Sequence, residues 1–198
     1  MTQISAFKTP EGEAAYLAVY EAAMNLWPVP YEDIEIPTRF GMTHVVASGP
    51  KDGPPLVLLH GYFSTLTMWS PNIADFSKTY RVYAIDVMGQ PGKSIPDPAE
   101  PIGETADFVT WLSATLDELN LDRIFLIGMS YGGWIALNFA ISKPERVLKL
   151  VLLSPGASFQ PLVRQFALRG MLMNLIPTRF TVNSFMGWMG IKETAEHQ

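Results

Sequence analysis

The sequence predicts an α/β fold built on a mostly parallel sheet with helices on both faces, and three observations carry that reading. Residues 56–59, 82–85, 124–127 and 147–153 form short, almost continuously apolar runs, each followed within two residues by a Gly, Asp or Ser. Helix-forming stretches at 104–119 and 131–142 separate the later runs. Strands that are apolar on both faces and alternate with helices belong to a parallel sheet covered on both sides. The third observation is the junction at 127–133, where an apolar run passes through Gly-Met-Ser-Tyr-Gly-Gly directly into a helix.

Composition bounds the rest. The 198 residues suit one domain with an elaboration, at about 150 residues per domain. Apolar residues make up 48% and charged residues 17%, enough to bury a large core and incompatible with general disorder. Lys and Arg number 14 against 19 Asp and Glu, a net charge of −5, and no basic cluster tracks a phosphate backbone, so nucleic acid is excluded as a partner. The absence of cysteine removes disulfides, thiolate metal sites and cysteine nucleophiles together. The first eight residues lack the basic start and apolar core of a secretory signal, and no apolar run approaches the roughly 18 residues of a membrane span. A cytoplasmic protein is expected, with no membrane partner.

In chain order, residues 12–26 are rich in helix formers and stop at Trp27-Pro28-Val29-Pro30, which predicts an amphipathic helix docked on the surface of the sheet domain. Residues 33–38 and 42–48, split by Arg39-Phe40-Gly41 and closed by Gly49-Pro50, predict a β-hairpin that gives the sheet a mixed N-terminal edge. The four apolar runs are the parallel strands. Lys143-Pro144 ends the second helical stretch. Beyond Ser154 the texture changes. Residues 156–192 hold four basic residues, Arg164, Arg169, Arg179 and Lys192, and no acidic one, whereas residues 1–155 hold 10 basic and 17 acidic. Met171, Met173, Met186 and Met189 lie among Phe166, Phe180, Phe185 and Trp188, broken by Gly170, Pro177, Gly187 and Gly190. Short helices laid over the sheet, without a strand, are expected there.

The junction carries the chemistry. A serine in a sharp strand-to-helix turn projects its hydroxyl above the sheet edge, and the residues two before and two after must be small. Gly128 and Gly132 meet that need, which makes Ser130 a candidate nucleophile. The unpaired N–H groups at the start of the helix face a developing oxyanion with donors and a favourable dipole. A second donor belongs on the loop after the first buried strand, here His60-Gly61-Tyr62-Phe63, so the backbone N–H groups of Tyr62 and Tyr131 are the candidate oxyanion hole. His60 and Gly61 are read as bracing that loop rather than abstracting a proton. Asp86, opening Asp86-Val87-Met88-Gly89-Gln90-Pro91-Gly92-Lys93-Ser94, is placed to accept backbone hydrogen bonds and close a Gly-rich loop.

Two rival motifs fail. As a dinucleotide fingerprint, Gly128-x-Ser130-x-x-Gly133 has serine where backbone must approach a pyrophosphate, and the next strand ends without an acidic ribose ligand. As a phosphate loop, Gly92-Lys93-Ser94 lacks its upstream glycine, since position 87 is Val87, and Pro96 and Pro98 forbid the helix. There is no H-E-x-x-H and no carboxylate cluster at ligand spacing, so neither metal nor cofactor is expected.

The segments His60-Gly61-Tyr62, Asp86 through Ser94, and Gly128-Met129-Ser130-Tyr131-Gly132-Gly133, in this order, resemble the α/β-hydrolase superfamily, and within it the bacterial carboxylesterase-like serine hydrolases with an N-terminal helix. The resemblance spans nearly the whole chain. It implies that Ser130 attacks the carbonyl of a small-molecule ester, that Tyr62 and Tyr131 bind the oxyanion, and that the Met- and Phe-rich residues begin a helical cap, with Phe63, Met171, Leu172, Leu175 and Phe185 candidates for an acyl pocket or for cap packing.

In that family the nucleophile precedes the acid and the histidine. Here His44, His60 and His197 are the only histidines, and only His197 follows Ser130, with no strand between it and the cap. It is not assigned as the base. The expectation is therefore the N-terminal part of a longer hydrolase: core at 1–155, beginning of the cap at 156–198, the C-terminal strands absent and an exposed sheet edge in their place. A C-terminal polypeptide or another copy would then complete the sheet and triad. Lactone opening, perhydrolysis or carbon–carbon cleavage on the same fold, and a non-catalytic binding or assembly module, stay open beside ester hydrolysis.

Overall fold

The computed structural model describes residues 7, 9–159 and 163–189. The chain divides into two compact units, Met1–Ser158 and Phe159–Gln198.

The first unit opens with α1 (Pro10–Met24), whose start is set by Thr9: its side chain accepts the Gly12 N–H, and Pro10 occupies the first helical position, where a missing N–H costs nothing. The helix therefore begins and ends two residues earlier than expected. The hairpin comes next as β1 (Tyr31–Thr38) and β2 (Gly41–Ser48), paired antiparallel from Thr38 opposite Gly41 to Tyr31 opposite Ser48. Gly41 sits at φ 120, where a Cβ would lie 2.1 Å from the Ile95 carbonyl oxygen, so only glycine closes this turn. After β3 (Pro55–Leu59) comes a 3-10 turn (Leu66–Trp69) and then α2 (Ser70–Phe76), in a stretch where the sequence pattern predicts no element. Seven residues are too few to show helical periodicity; the signals that start them are the Thr65 cap and Pro71. The chain continues as β4 (Arg81–Ile85), the two-residue β5 (Ile95–Pro96), also unanticipated, α3 (Thr105–Glu118), β6 (Ile124–Met129), α4 (Tyr131–Ser142) and β7 (Val147–Leu153).

The strands form one sheet in the order β1-β2-β4-β3-β6-β7, with β5 beside β2. Pairings among β4, β3, β6 and β7 are parallel, and those of β2 with β1, β4 and β5 antiparallel. Alternation along each strand divides the core into two layers. Val45, Val57, Leu59, Ile85, Ile124 and Leu126 face α3 and α4, meeting Phe108, Trp111, Leu112, Ile135 and Phe139. Val46, Leu56, Leu58, Val82 and Ala84 face the other way, toward Tyr20 and Met24 of α1 and toward Leu66, Trp69 and Ile73. Each large apolar side chain among these, fully buried, contributes roughly 1.5–3 kcal/mol. Among the described residues no strand comes after β7, and its Leu148, Val151 and Leu153 are exposed.

The second unit contains α5 (Arg164–Leu175) and α6 (Arg179–Trp188). Thr178 caps α6 by accepting the Thr181 N–H. The two helices meet through Phe166 and Phe185, ring centroids 5.3 Å apart, and through Arg169, which donates to Ser184 Oγ at 2.8 Å. Of the candidates for an acyl pocket or for cap packing, Phe185 is buried in this packing, while Met171, Leu172 and Leu175 are exposed. Lys192 and His197 lie outside the described residues.

Candidate active site

Ser130 joins β6 to α4 at φ 49 and ψ −109, a conformation that non-glycine residues rarely adopt and that persists only where the surroundings over-determine it. They do so here. The Ser130 N–H donates to the Leu153 carbonyl at 2.9 Å, and the Ser130 carbonyl accepts from Gly156 at 2.9 Å and Trp134 at 3.0 Å. The turn is as tight as the sequence requires: a Cβ on Gly128 would lie 2.3 Å from the Gly132 carbonyl oxygen, and one on Gly132 would lie 2.4 Å and 2.5 Å from those of Leu59 and His60. The half-buried Ser130 side chain makes no capping bond to α4.

The loop after β3 passes beside the turn. Gly132 donates to the His60 carbonyl at 3.1 Å, and a Cβ on Gly61 would be 3.6 Å from Ser130 Cβ. Among the described residues, neither the Tyr62 nor the Tyr131 backbone N–H has an acceptor. Two donors without an acceptor among the described residues therefore lie near Ser130, one next to Gly61 on the loop after β3 and one at the start of α4. Burial, with the neighbouring Tyr62, pushes the Tyr131 phenol up to about 12, so its ring stays neutral.

His60 is fully buried. The Val87 N–H, which can only donate, lies 2.9 Å from its Nε2, so Nδ1 carries the proton and donates to the Gly61 carbonyl at 2.8 Å. Burial holds its pKa below the usual histidine value, against the Gly61 carbonyl and the Asp86 charge. It is a neutral ring with both nitrogens engaged.

Asp86, fully buried at the end of β4, accepts more than the backbone bonds expected of it. Oδ1 takes the Leu66 N–H at 2.9 Å; Oδ2 takes the Lys93 N–H at 2.9 Å, the Tyr20 hydroxyl at 2.8 Å and His44 Nδ1 at 3.0 Å. His44 Nε2 in turn lies 2.9 Å from Asp33 Oδ1. A carboxylate at each ring nitrogen favours the imidazolium form. Burial opposes that charge, but the hydrogen bonds and charges of Asp86 and Asp33 outweigh it and raise the His44 pKa. Burial likewise opposes the Asp86 charge, and the bonds from His44, Leu66 and Lys93 outweigh it and lower its pKa. Sequence reasoning assigns His44, Asp33 and Tyr20 no role. Strand parity held a signal, since His44 and Val46 share the face of β2 that turns toward α1, where a buried polar side chain needs partners.

Among the described residues, no group of three or more His, Asp or Glu could hold a metal ion, and no helix is long and apolar enough to cross a membrane.

The family model of the alpha/beta hydrolase fold matches residues 54–180, and the chain belongs to that family. It is similar to the uncharacterized carboxylesterase nap of Bacillus subtilis, 42% identical over 174 residues that make up 88% of this chain and 56% of that protein. It is similar also to carboxylesterase YbfK of the same organism, 42% identical over 164 residues, 81% of this chain and 55% of the relative. Among solved structures, naproxen esterase (carboxylesterase NP) from Bacillus subtilis superposes with a TM-score of 0.86 at 40% identity, covering 92% of this chain and 62% of the other. The chain thus spans a little over half the length of the two curated relatives.

Proposed function

We propose that the chain carries the nucleophile and oxyanion hole of a carboxylesterase that acts on small carboxylic esters. The observation that supports it most is the strained Ser130 beside the N–H groups of Tyr62 and Tyr131, which have no acceptor among the described residues. In this reading Ser130 Oγ bonds to the ester carbonyl carbon as its proton passes to a general base. The negative oxygen rests on the two N–H groups, and the alcohol leaves with the proton from the base. Water then attacks the acyl-Ser130 ester by the same route and returns the free hydroxyl. The names of the Bacillus relatives support ester hydrolysis in particular.

Neither described histidine suits the base. His44 is held between two carboxylates and His60 between a carbonyl and an N–H. In this reading the base and its acid partner lie outside the described residues, in the same molecule or an associated one.

Gel filtration with p-nitrophenyl butyrate assays on the fractions, then fluorophosphonate labelling and peptide mass mapping, tests the reading. Esterase activity and a single adduct on Ser130, absent from Ser130→Ala, are expected. Full activity in Ser130→Ala, or an adduct on another residue, refutes it.

A further inference from the structure

The two residues whose backbone N–H groups the proposed function assigns to the oxyanion also touch through their side chains. The Tyr62 and Tyr131 rings meet edge to face, centroids 5.6 Å apart at 68°. Tyr131 stacks on Trp134 at 5.6 Å and 12° and meets Phe108 edge-on at 5.7 Å. Phe108 meets Trp111, which is fully buried and donates its indole N–H to Thr43 Oγ1 at 2.8 Å. A continuous row of rings thus runs from the exposed Tyr62 into the core. On the outer side Phe63 packs on Tyr62, ring centroids 4.1 Å apart, and its own N–H is taken by Gln90 Oε1 at 3.3 Å.

An oxyanion hole accelerates a reaction only if its donors are fixed before the charge develops, and a displacement of about 1 Å can cost about a hundredfold. The Tyr131 donor is fixed by the start of α4. The Tyr62 donor sits on a turn whose one internal backbone bond, Ser64 N–H to Gly61 carbonyl, is a long 3.3 Å, and whose Phe63 is held at φ 55. Backbone alone ties this turn weakly to the elbow beyond the Gly132 to His60 bond. Resting on the proposed function, we infer that the Tyr62–Tyr131 ring contact is the positioning element that sets the gap between the two donors, with Gln90 turning the Phe63 N–H away from it. The rings position and the backbones donate; the phenol hydroxyls take no part.

The test uses the protein in the form that hydrolyses p-nitrophenyl butyrate, with its general base present. Every variant keeps both backbone N–H groups. Tyr62→Ala is expected to lower kcat about ten- to a hundredfold while KM changes less than about threefold, because the lost interaction acts in the transition state. Tyr62→Phe, which restores the ring, recovers most of that loss, and Tyr131→Phe likewise recovers most of the loss in Tyr131→Ala. Tyr62→Ala/Tyr131→Ala falls short of the product of the single losses, since one contact is lost once. In urea unfolding the same double-mutant cycle gives a coupling of about two- to tenfold in the unfolding constant. Folded Tyr62→Ala with an unchanged kcat, a Phe variant as impaired as Ala, or a coupling near unity overturns the inference and leaves the function standing. Full activity in Ser130→Ala, or no ester hydrolysis by any form, overturns the function and the inference with it.

Discussion

Asp86→Asn keeps the shape of the side chain and removes its charge, which makes it a sharp test of how the loops around Ser130 are held. The Oδ2 position receives three donors, the Lys93 N–H, the Tyr20 hydroxyl and His44 Nδ1. An amide NH2 there meets donors with a donor. The Tyr20 hydroxyl can rotate to accept, but the Lys93 N–H cannot, and an orphaned buried N–H costs about 1–3 kcal/mol. The His44 charge is left with the half-exposed Asp33 alone, and breaking a buried pair by removing one partner costs about 3–5 kcal/mol. Because these terms share atoms they do not add, and the expected loss is about 4 kcal/mol in urea unfolding, a large part of the usual 5–15 kcal/mol.

The pH dependence gives a second reading of the same variant. The folded pKa of Asp86 is depressed below 3.8, so its contribution is present above 3.8 and is lost as pH falls through the folded value. The folded pKa of His44 is raised above 6.5, so its contribution is present below 6.5 and is lost as pH rises through the folded value. The gap between wild type and Asp86→Asn is therefore widest between pH 3.8 and 6.5 and narrows on both sides. A loss under about 1 kcal/mol in that window, or a gap that does not vary with pH, refutes the charged network.

The elbow supports two further predictions. Ser130→Gly relieves the positive φ and stabilises the fold by up to about 1 kcal/mol while abolishing labelling by fluorophosphonate, so thermal melts and intact mass move in opposite senses. Gly132→Ala forces a methyl to within 2.5 Å of two main-chain oxygens, which have no flexible end to move aside. A loss above about 2 kcal/mol, seen as a lowered urea midpoint at constant m, is expected, and a neutral result would mean that β3 and α4 can separate at no cost.

How much of the fold could be read from the sequence depends on the range of the forces involved. Burial on both faces of a strand is written residue by residue, so Leu56, Val57, Leu58 and Leu59 announce β3, and Gly128 and Gly132 announce a turn too tight for side chains. The 3-10 turn and α2 stayed hidden because each is shorter than the window in which periodicity shows. β5 is two residues long, and its place is defined only by its partner β2. At the site, Ser130 and the loop at Tyr62 were legible from local pattern. The Asp86 network was legible only in part: Lys93 is seven residues away, but His44 is 42 and Tyr20 is 66, and no spacing rule connects them. The Tyr62–Tyr131 contact was hidden for the same reason, since only the pairing of β3 with β6 brings the two rings together.

The bonds that hold the Ser130 main chain reach forward along the sequence, to Leu153 at the end of β7 and to Gly156 just beyond it. A chain made from its N-terminus supplies the serine first and those two partners later. β6 and the start of α4 on their own therefore lack two of the bonds that keep the residue between them in its strained backbone state. The conformation of the elbow is thus complete only with β7 in the sheet, which makes it a property of two neighbouring strands rather than of the β6 to α4 turn alone.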